Sequence, residues 1–317
     1  MMFWQNKTVV VAGGAGFIGQ HLVQALLNAN AHVHVIDNYS TGHTLEVQPR
    51  HPHQLTQQQH DICDPATVPH ADVIFNLASP ASPLHYQSDP IQTWKTNLLG
   101  TMHMLDHVLA CEGTLVQAST SEVYGDPLSH PQKETDWGNV NPIGPRACYD
   151  ESKRAAETLL IDAVRTKGAD IRIARIFNTY GPGMGVSDGR AIPNFAAQAS
   201  EGKPITIHGD GTQTRSFCHV SDTVAALLRL GMVADAKGEV VNIGNPSEVT
   251  ILEIAELVNA LFGNKSEILF TPRPIDDPQR RCPDISKARR LLGWTPQTTF
   301  KDGILTLYQS DRASLRV

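Results

Sequence analysis

The chain has 317 residues, a formal net charge of −6, 41% hydrophobic residues and 18% charged residues. This composition is typical of a folded globular protein, and the length suffices for two lobes around a shared cleft. The negative charge excludes an overall basic field for nucleic acid, and no apolar run approaches the roughly 20 residues that span a bilayer. We therefore expect neither a nucleic-acid partner nor a membrane partner.

Short apolar strands alternate with amphipathic helices through the first half of the chain. The predicted strands cover residues 7–12, 32–36, 72–77, 114–118 and 171–176. The predicted helices cover residues 17–28, 91–110 and 146–165. This alternation predicts an α/β fold in which helices cover both faces of a parallel sheet.

After Asn178 the chain is rich in glycine and its regular elements are short. Periodic patterns return as a helix at 221–230, a strand at 239–243, a helix at 250–262 and a helix at 285–292 that ends before Gly293. We predict a nucleotide-binding domain made of residues 1–177 plus about 219–245. A smaller, mixed α/β substrate lobe would contain about 178–218 plus 246–317.

Cysteine and histidine usage bears on location and on metals. The five cysteines are widely spaced and form no CxxC pair, which favours reduced thiols and a cytoplasmic location. Residues 1–7, which precede the first strand, do not resemble a signal peptide or a membrane anchor. The histidines are scattered, and His51 and His53 lie in a Gln-rich stretch that predicts a solvated loop. We expect no metal site.

A glycine-rich turn joins the first strand to the first helix. Gly13, Gly16 and Gly19 match the GxxGxxG spacing of extended short-chain dehydrogenases, and Phe17 and Ile18 open the helix. Without side chains, such a turn lets the backbone approach a pyrophosphate, which the helix amino terminus stabilises. Because the motif lies between a strand and a helix, it predicts a dinucleotide site in a Rossmann-type doubly wound sheet.

The second strand ends on Asp37, where a carboxylate can accept hydrogen bonds from a ribose diol. Residues 38–45 contain no Arg or Lys for a 2′-phosphate, which favours NAD over NADP. Asp37 could instead cap a turn. We expect Asp61 and Ile62, between the predicted strands at 32–36 and 72–77, at the adenine. Further expected cofactor contacts in this region are Asn38, Thr41 and Gly42.

Tyr149 and Lys153 are four residues apart on a predicted helix, so both project from one face. Free tyrosine has a pKa of about 10 and is a poor base at neutral pH. We expect Lys153, helped by the positive nicotinamide, to favour the phenolate. Thr120, just after the predicted strand at 114–118, can hydrogen-bond the hydroxyl that loses its proton. A surface pair with no catalytic role would give the same spacing.

Glu122 follows the same strand as Thr120. A sugar 4-epimerase needs no acid or base beyond the tyrosine, whereas elimination or decarboxylation needs a second group that handles protons. Glu122 is our candidate for that group. Its alternative role is to cap the turn that follows.

Long segments of the chain resemble the UDP-glucuronate decarboxylase (UDP-xylose synthase) family of extended short-chain dehydrogenases. The longest are STSEVYGDP at 119–127, WGNVNPIGPR at 137–146 and RIFNTYGP at 175–182. Shorter matching segments lie at 77–83, 148–151, 209–211 and 213–218. The likeness runs from residue 7 to about residue 300.

The resemblance implies a role for each matching residue. Tyr149 would be the base at the sugar 4-hydroxyl, Lys153 its activator and Thr120 its hydrogen-bonding partner, while Glu122 and Arg281 would serve decarboxylation. Lys153 would also contact the ribose of NAD, and additional NAD contacts would be Leu77, Ser79, Thr96, Tyr149 and Thr179. UDP-sugar contacts would be Lys95, Tyr149, Asn178, Arg190, Gln213, Arg215 and Arg281. Arginines suit a diphosphate, although Arg190 and Arg215 could instead form surface ion pairs.

The implied reaction oxidises C4 with NAD, loses carbon dioxide from the resulting β-keto acid, reprotonates C5 and returns the hydride. The alternatives are a 4,6-dehydratase, which would want an Asp-Glu pair where this chain has Ser121-Glu122, a 4-epimerase, and a catalytically silent NAD-binding regulator. The helices at 91–110 and 146–165 would form a homodimer. The chain departs from the family pattern at His43, Ser152, His208 and Cys282.

Overall fold

A computed structural model describes residues 2–42, 44–65, 68–185, 189–272 and 280–314, with side chains described as far as residue 307. In chain order the strands are β1 (Thr8–Ala12), β2 (His32–Asp37), β3 (Leu55–Gln59), β4 (Val73–Asn76), β5 (Thr114–Thr120), β6 (Asp170–Ile176), β7 (Thr179–Tyr180), β8 (Ile205–His208), β9 (Thr214–Ser216), β10 (Cys218–His219), β11 (Val240–Ile243), β12 (Glu248–Thr250), β13 (Ile268–Thr271) and β14 (Arg280–Arg281).

The α-helices of the described residues are α1 (Phe17–Asn28), α2 (Pro83–Ser88), α3 (Pro90–Cys111), α4 (Ala147–Lys167), α5 (Ala191–Ser200), α6 (Val220–Met232), α7 (Ile251–Leu261), α8 (Ser286–Leu292) and α9 (Phe300–Ser314). Six of these α-helices in the described residues correspond to predicted helices, whereas α2, α5 and α9 were not predicted. None of them combines the length and the apolar character required to cross a membrane.

Seven parallel strands form the main sheet in the order β11-β6-β5-β4-β1-β2-β3. The predicted doubly wound parallel sheet is therefore confirmed. The structure corrects one local prediction, because β3 forms within the Gln-rich stretch for which we predicted a solvated loop. Leu55 pairs with Val33 and Gln59 with Asp37. An edge strand needs backbone hydrogen bonds on one side only, so it tolerates a polar sequence.

Alternate side chains of β1 enter different cores on the two faces of this sheet. Val9 and Val11 pack on one face against residues of α1 and α6, whereas Val10 and Ala12 pack on the other face against residues of α3 and α4. This two-residue alternation follows from strand geometry. Because both faces are covered, the central strands read as continuous apolar runs.

The smaller sheets belong to the later chain. They are a three-stranded sheet in the order β12-β9-β14 and the parallel pairs β13-β8 and β10-β7. A third core, with residues such as Phe195, Ile207 and Ile254, lies under them. In α8, however, Ala288 and Leu292 join the core that contains Val9 and Val11, although our boundaries assigned 246–317 to the smaller lobe. The division into two lobes stays a prediction.

Candidate active site

The glycine turn between β1 and α1 leaves no room for side chains. Gly13 has a φ of +76°, and a Cβ there would lie 2.6 Å from the backbone nitrogen of Ala78. A Cβ on Gly19 would lie 2.1 Å from the carbonyl oxygen of Gly13, whereas one on Gly16 would lie 3.3 Å from it. Phe17 and Ile18 are partly buried in the first turn of α1. This backbone surface fits a dinucleotide pyrophosphate.

Asp37 links the glycine turn to the segment after β2. Its carboxylate accepts hydrogen bonds from the backbone nitrogens of Ala15, at 2.9 Å, and Tyr39, at 2.8 Å. Asp37 therefore does cap a turn, which was its alternative role. In doing so its carboxylate lies next to the glycine turn. Gly42 also approaches this turn, since a Cβ there would lie 3.1 Å from the carbonyl oxygen of Ala15. Thr41 is exposed.

Asp61 lies after β3 and faces Asn38. Asn38 Nδ2 donates to Asp61 Oδ2 at 3.0 Å, and the backbone nitrogen of Cys63 donates to Asp61 Oδ1 at 2.9 Å. Burial disfavours the Asp61 carboxylate, but these hydrogen bonds outweigh burial and lower its pKa. Ile62, the next residue, is buried. Two of the predicted cofactor contacts, Asp61 and Asn38, are thus brought together at the edge of the sheet.

The remaining predicted cofactor residues lie near strand ends or on α3. The backbone nitrogen of Leu77 donates to the carbonyl of Ala12, and Ser79 Oγ donates to its neighbour's carbonyl. Thr96 is buried on α3, with its hydroxyl 3.7 Å from the sulfur of Cys63. The hydroxyl of Thr179 donates to the carbonyl of Phe177 at 3.2 Å.

Tyr149 and Lys153 lie in the first two turns of α4 and are both buried. The Tyr149 hydroxyl forms a hydrogen bond with Thr120, and its ring stacks on Tyr86 with ring centroids 4.9 Å apart. Lys153 Nζ lies 5.7 Å from the centroid of the Tyr149 ring and donates to the carbonyl of Ala118 at 3.0 Å. The fold therefore brings Thr120, Tyr149 and Lys153 together.

Burial dominates the pKa values of both members of this pair in the protein without NAD. Burial, reinforced by the negative charges of Glu122 and Asp150, raises the pKa of Tyr149 to about 12, although the hydrogen bond from Thr120 opposes the rise. Burial also lowers the pKa of Lys153 to about 8. The ammonium of Lys153 alone therefore does not produce a phenolate at neutral pH. The positive charge of an oxidised nicotinamide is needed in addition.

Glu122 lies in a single helical turn after β5, between two arginines. Arg281 Nη1 and Nη2 donate to its two carboxylate oxygens at 2.7 and 2.8 Å, and Arg146 Nη2 lies 2.7 Å from Oε1. Burial disfavours the carboxylate, but the two guanidinium groups outweigh it and lower the pKa of Glu122. The hydroxyl of Thr120 caps this turn by accepting from the Glu122 nitrogen. The capping alternative for the Glu122 side chain is therefore wrong.

Sequence reasoning missed two members of this cluster. Arg146 ends one of the segments that carry the family resemblance, three residues before Tyr149, and that position was the available signal. Asp150 is buried, and its Oδ1 has no hydrogen-bond partner. Burial and the nearby charge of Glu122 raise its pKa well above the ordinary value of 3.8. No sequence pattern predicts a buried carboxyl oxygen that has no hydrogen-bond partner.

The fold brings only some of the predicted substrate-binding residues together. Arg215 and Arg281 are paired on β9 and β14, and both are buried. Arg190 precedes α5, and its charge acts on Tyr149. The side chain of Gln213 donates to the carbonyl of His208, which gives Gln213 a structural role in its loop. Two further predicted contacts are the partly buried Asn178 and the exposed Lys95.

Two of the four departures from the family pattern have a local structural role. Ser152 Oγ donates to the carbonyl of Cys148 at 2.5 Å and accepts from Asn97 Nδ2 at 2.9 Å. His208 Nδ1 lies 2.8 Å from the hydroxyl of Thr271 on the neighbouring strand. Cys282 is buried, and His43 lies outside the described residues.

The parallel sheet, the glycine turn and the buried Tyr149–Lys153 pair define the class of extended short-chain dehydrogenases. Residues 9–244 match the model of the NAD dependent epimerase/dehydratase family. The chain is 49% identical over 318 residues to UDP-glucuronic acid decarboxylase 6 of Arabidopsis thaliana, covering 99% of this chain and 92% of that protein. It belongs to the UDP-glucuronic acid decarboxylase family.

A second decarboxylase relative agrees with this assignment, and two solved epimerase structures share the fold. UDP-glucuronic acid decarboxylase 1 of Danio rerio is 47% identical over 300 residues, covering 94% of this chain and 71% of that protein. An epimerase from Methanothermobacter thermautotrophicus has a TM-score of 0.91 at 28% identity, covering 99% of this chain and 94% of the other. A UDP-glucuronic acid 4-epimerase from Bacillus cereus, solved with a fluorinated UDP-sugar and NAD, has a TM-score of 0.84 at 27% identity, covering 97% and 99%.

Proposed function

We propose that the chain converts UDP-glucuronate to UDP-xylose and carbon dioxide with catalytic NAD, through a 4-keto intermediate. The observation that carries this proposal is the Glu122–Arg281 ion pair beside the Tyr149–Thr120 hydrogen bond. A 4-epimerase needs only the tyrosine, whereas decarboxylation also needs a cation where a carboxylate leaves. The 49% identity to a UDP-glucuronic acid decarboxylase supports the same reaction.

The chemistry explains why a redox site serves a reaction with no net redox change. When a carboxylate is bonded to a sugar ring, no adjacent group can accept the electrons of the C–C bond that breaks. Once C4 is a ketone, those electrons settle on the C4 oxygen as an enolate. When bound, NAD supplies the hydride acceptor for C4 oxidation and the hydride donor for the final reduction.

The chain's own groups move the protons. Tyr149 accepts the proton of the 4-hydroxyl and later returns one to the C4 oxygen. Thr120 holds the tyrosine oxygen in place by a hydrogen bond. Lys153, anchored on the carbonyl of Ala118, provides a positive charge that adds to that of the cofactor. Together the two cations offset the burial that keeps Tyr149 protonated in the protein alone.

Arg281 and Glu122 serve the decarboxylation step. Arg281 has five donors, and two of them are engaged by Glu122, so others can serve the substrate carboxylate or the C4 enolate oxygen. Glu122 is ionised at neutral pH because two arginines stabilise its charge. It therefore acts in this protein as a fixed negative charge that positions Arg281, or it takes a proton from solvent and passes that proton to C5 after carbon dioxide has left.

The other contacts are proposed from the sequence pattern and from their position in the fold. NAD would lie on the glycine turn, with Asp37, Asn38 and Asp61 towards its adenosine end. The UDP group would meet Arg190 and Arg215, whose guanidinium groups bind phosphate oxygens in pairs. Residues 1–177 plus about 219–245 would form the NAD domain, with the rest of the chain closing over the sugar.

The decisive experiment incubates the purified protein with NAD and UDP-glucuronate and measures the product mass. Loss of carbon dioxide supports the proposal. An unchanged mass with an inverted C4 configuration would indicate a 4-epimerase, and loss of water would indicate a dehydratase. Binding of NAD without any turnover would indicate a silent regulator.

We also infer a homodimer and a cytoplasmic location. Leu99 and Met102 on α3 are each 41% exposed, and an exposed apolar helix face favours burial against a second copy. Light scattering should give the dimer mass, and a Leu99→Lys, Met102→Lys double variant should give the mass of the monomer.

The five cysteines are free thiols, which suits a reducing compartment such as the cytoplasm. Fractionation of the native source would test the location.

A further inference from the structure

Three potential metal ligands converge next to Arg281. His130 Nε2, Glu248 Oε2 and Cys282 Sγ belong to a group whose ligand atoms all lie within 4.8 Å of one another. Among the described residues, these side chains form the one group of three or more His, Cys, Asp or Glu residues that could hold a metal ion. We propose that His130, Glu248 and Cys282 form a binding site for a zinc-type divalent cation.

Neighbouring groups already hold two of the ligands in place. The hydroxyl of Thr214 donates to Glu248 Oε1 at 2.5 Å, which leaves Oε2 directed at His130, 2.8 Å away. Gln132 holds Cys282 from both sides, because its nitrogen donates to the Cys282 carbonyl and its Oε1 accepts from the Cys282 nitrogen, each at 2.8 Å. Such outer contacts pre-orient ligands in metal sites.

The donor set selects the class of metal. A thiolate, an imidazole and a carboxylate suit Zn²⁺, whereas Mg²⁺ and Ca²⁺ prefer oxygen ligands throughout. On binding, a sulfur–zinc bond replaces the S–H bond of Cys282, the hydrogen bond from this thiol to the carbonyl of Pro246 is lost, and the proton passes to solvent. The His130–Glu248 hydrogen bond opens so that both atoms can face the cation. Three protein ligands leave one position for water.

The surroundings permit this change. The His130 side chain is 26% exposed, so the cation has a path from solvent. Arg280 Nη2 lies 3.5 Å from Glu248 Oε2, but its side chain is 54% exposed and can move into water. Because His130 precedes α4 while Glu248 begins β12 and Cys282 follows β14, a bound cation would join two parts of the fold beside Arg281. Bound cation should therefore stabilise the folded protein.

The test titrates the purified, NAD-loaded and chelator-stripped protein with Zn²⁺ against a chromogenic chelator. We expect one zinc per chain, a melting temperature that rises with zinc, and a thiolate-to-cobalt absorption band in the near ultraviolet when Co²⁺ replaces zinc. Cys282→Ser and His130→Gln should each weaken zinc binding at least about tenfold, and Cys282→Ser should abolish the cobalt band.

Cys111→Ser is the matched control. Cys111 Sγ lies 3.4 Å from His107 Nε2, and the described residues add no third ligand to that pair, so this variant should bind zinc as the parent does. His130 lies at the surface, so its variant keeps the test usable if Cys282→Ser fails to fold. The proposal is overturned if the parent protein binds no stoichiometric zinc, or if folded Cys282 or His130 variants bind it equally well.

Discussion

Arg281 donates from both terminal nitrogens to the two carboxylate oxygens of Glu122, at 2.7 and 2.8 Å, across 159 residues of sequence. Such a bidentate pair fixes both side chains in one geometry. Because Glu122 is buried, removal of its partner would leave a charge without compensation. The pair therefore fixes the position of β14 relative to the turn after β5.

Replacement of Glu122 by Gln should lower the rate of carbon dioxide release by about 100-fold or more. Gln cannot accept a proton and does not offset the charges of Arg146 and Arg281. Stopped-flow absorbance of NADH should still show C4 oxidation, because Tyr149 is intact. A Glu122→Gln protein that is folded and releases carbon dioxide at the parent rate would refute the role of this residue.

A Tyr149→Phe variant should lose activity by about 10²- to 10⁴-fold, since the phenol oxygen is the group that takes the 4-hydroxyl proton. Tyr86→Phe is the matched control, because the buried Tyr86 hydroxyl has no hydrogen-bond partner and its ring stacks on Tyr149. That control should keep nearly full activity. Steady-state kinetics with NAD and UDP-glucuronate would compare the two. Equal losses would show that ring packing matters rather than proton transfer.

Asp150 should make stability depend on pH. Its folded-state pKa is raised above 3.8 by burial and by Glu122, so its contribution is fully present below that value and is lost as the pH rises through the raised pKa. As the pH rises from 5 to 8, the free energy of unfolding of Asp150→Asn should therefore increase relative to that of the parent by on the order of 1–2 kcal/mol. Urea unfolding of the variant and the parent at pH 5 and at pH 8 measures this difference in the free energy of unfolding.

The exposed Asp162→Asn change provides the control for the Asp150 experiment. The Asp162 side chain is 58% exposed in a surface ion pair with Arg165. Its effect on the free energy of unfolding should be nearly the same at both pH values. If Asp150→Asn behaves in the same way as Asp162→Asn, the Asp150 carboxyl ionises normally in the folded protein.

Gly19→Ala should destabilise the folded protein far more than Gly16→Ala. The added Cβ would lie 2.1 Å from the Gly13 carbonyl oxygen in the first variant and 3.3 Å from it in the second. A separation of 2.1 Å forces the backbone of the turn to move, whereas 3.3 Å needs only a small adjustment. We expect the free energies of unfolding of the two variants to differ by about 1 kcal/mol or more in urea denaturation. Equal stabilities would contradict the close packing of this turn.

Ser152→Gly should destabilise the protein by about 1–2 kcal/mol without changing UDP-sugar affinity. Glycine is a poorer helix former than serine, and the change leaves Asn97 Nδ2 without the acceptor that Ser152 Oγ provides. Thermal unfolding and substrate titration would measure the two effects separately. A large change in substrate affinity would instead connect this departure from the family pattern to recognition of the sugar.

The sequence alone determined the features whose causes are local. The alternation of apolar residues gave the central sheet and the helices α1, α3, α4 and α6, and a spacing of four residues placed Tyr149 and Lys153 on one face of a helix. The glycine turn was readable because its context, a strand followed by a helix, is contiguous in the chain. The polar strand β3 was missed, because it depends on backbone bonds to β2 rather than on its own side chains.

Only the tertiary structure decided the chemistry of the charged groups. The convergence of Glu122, Arg146 and Arg281 depends on contacts between distant segments, which no local pattern encodes. The pKa values of Tyr149 and Asp150 likewise depend on burial, a property of the assembled core. The ionisation of a side chain is set by the free energy of its charge in its surroundings, and those surroundings exist only once the chain is folded.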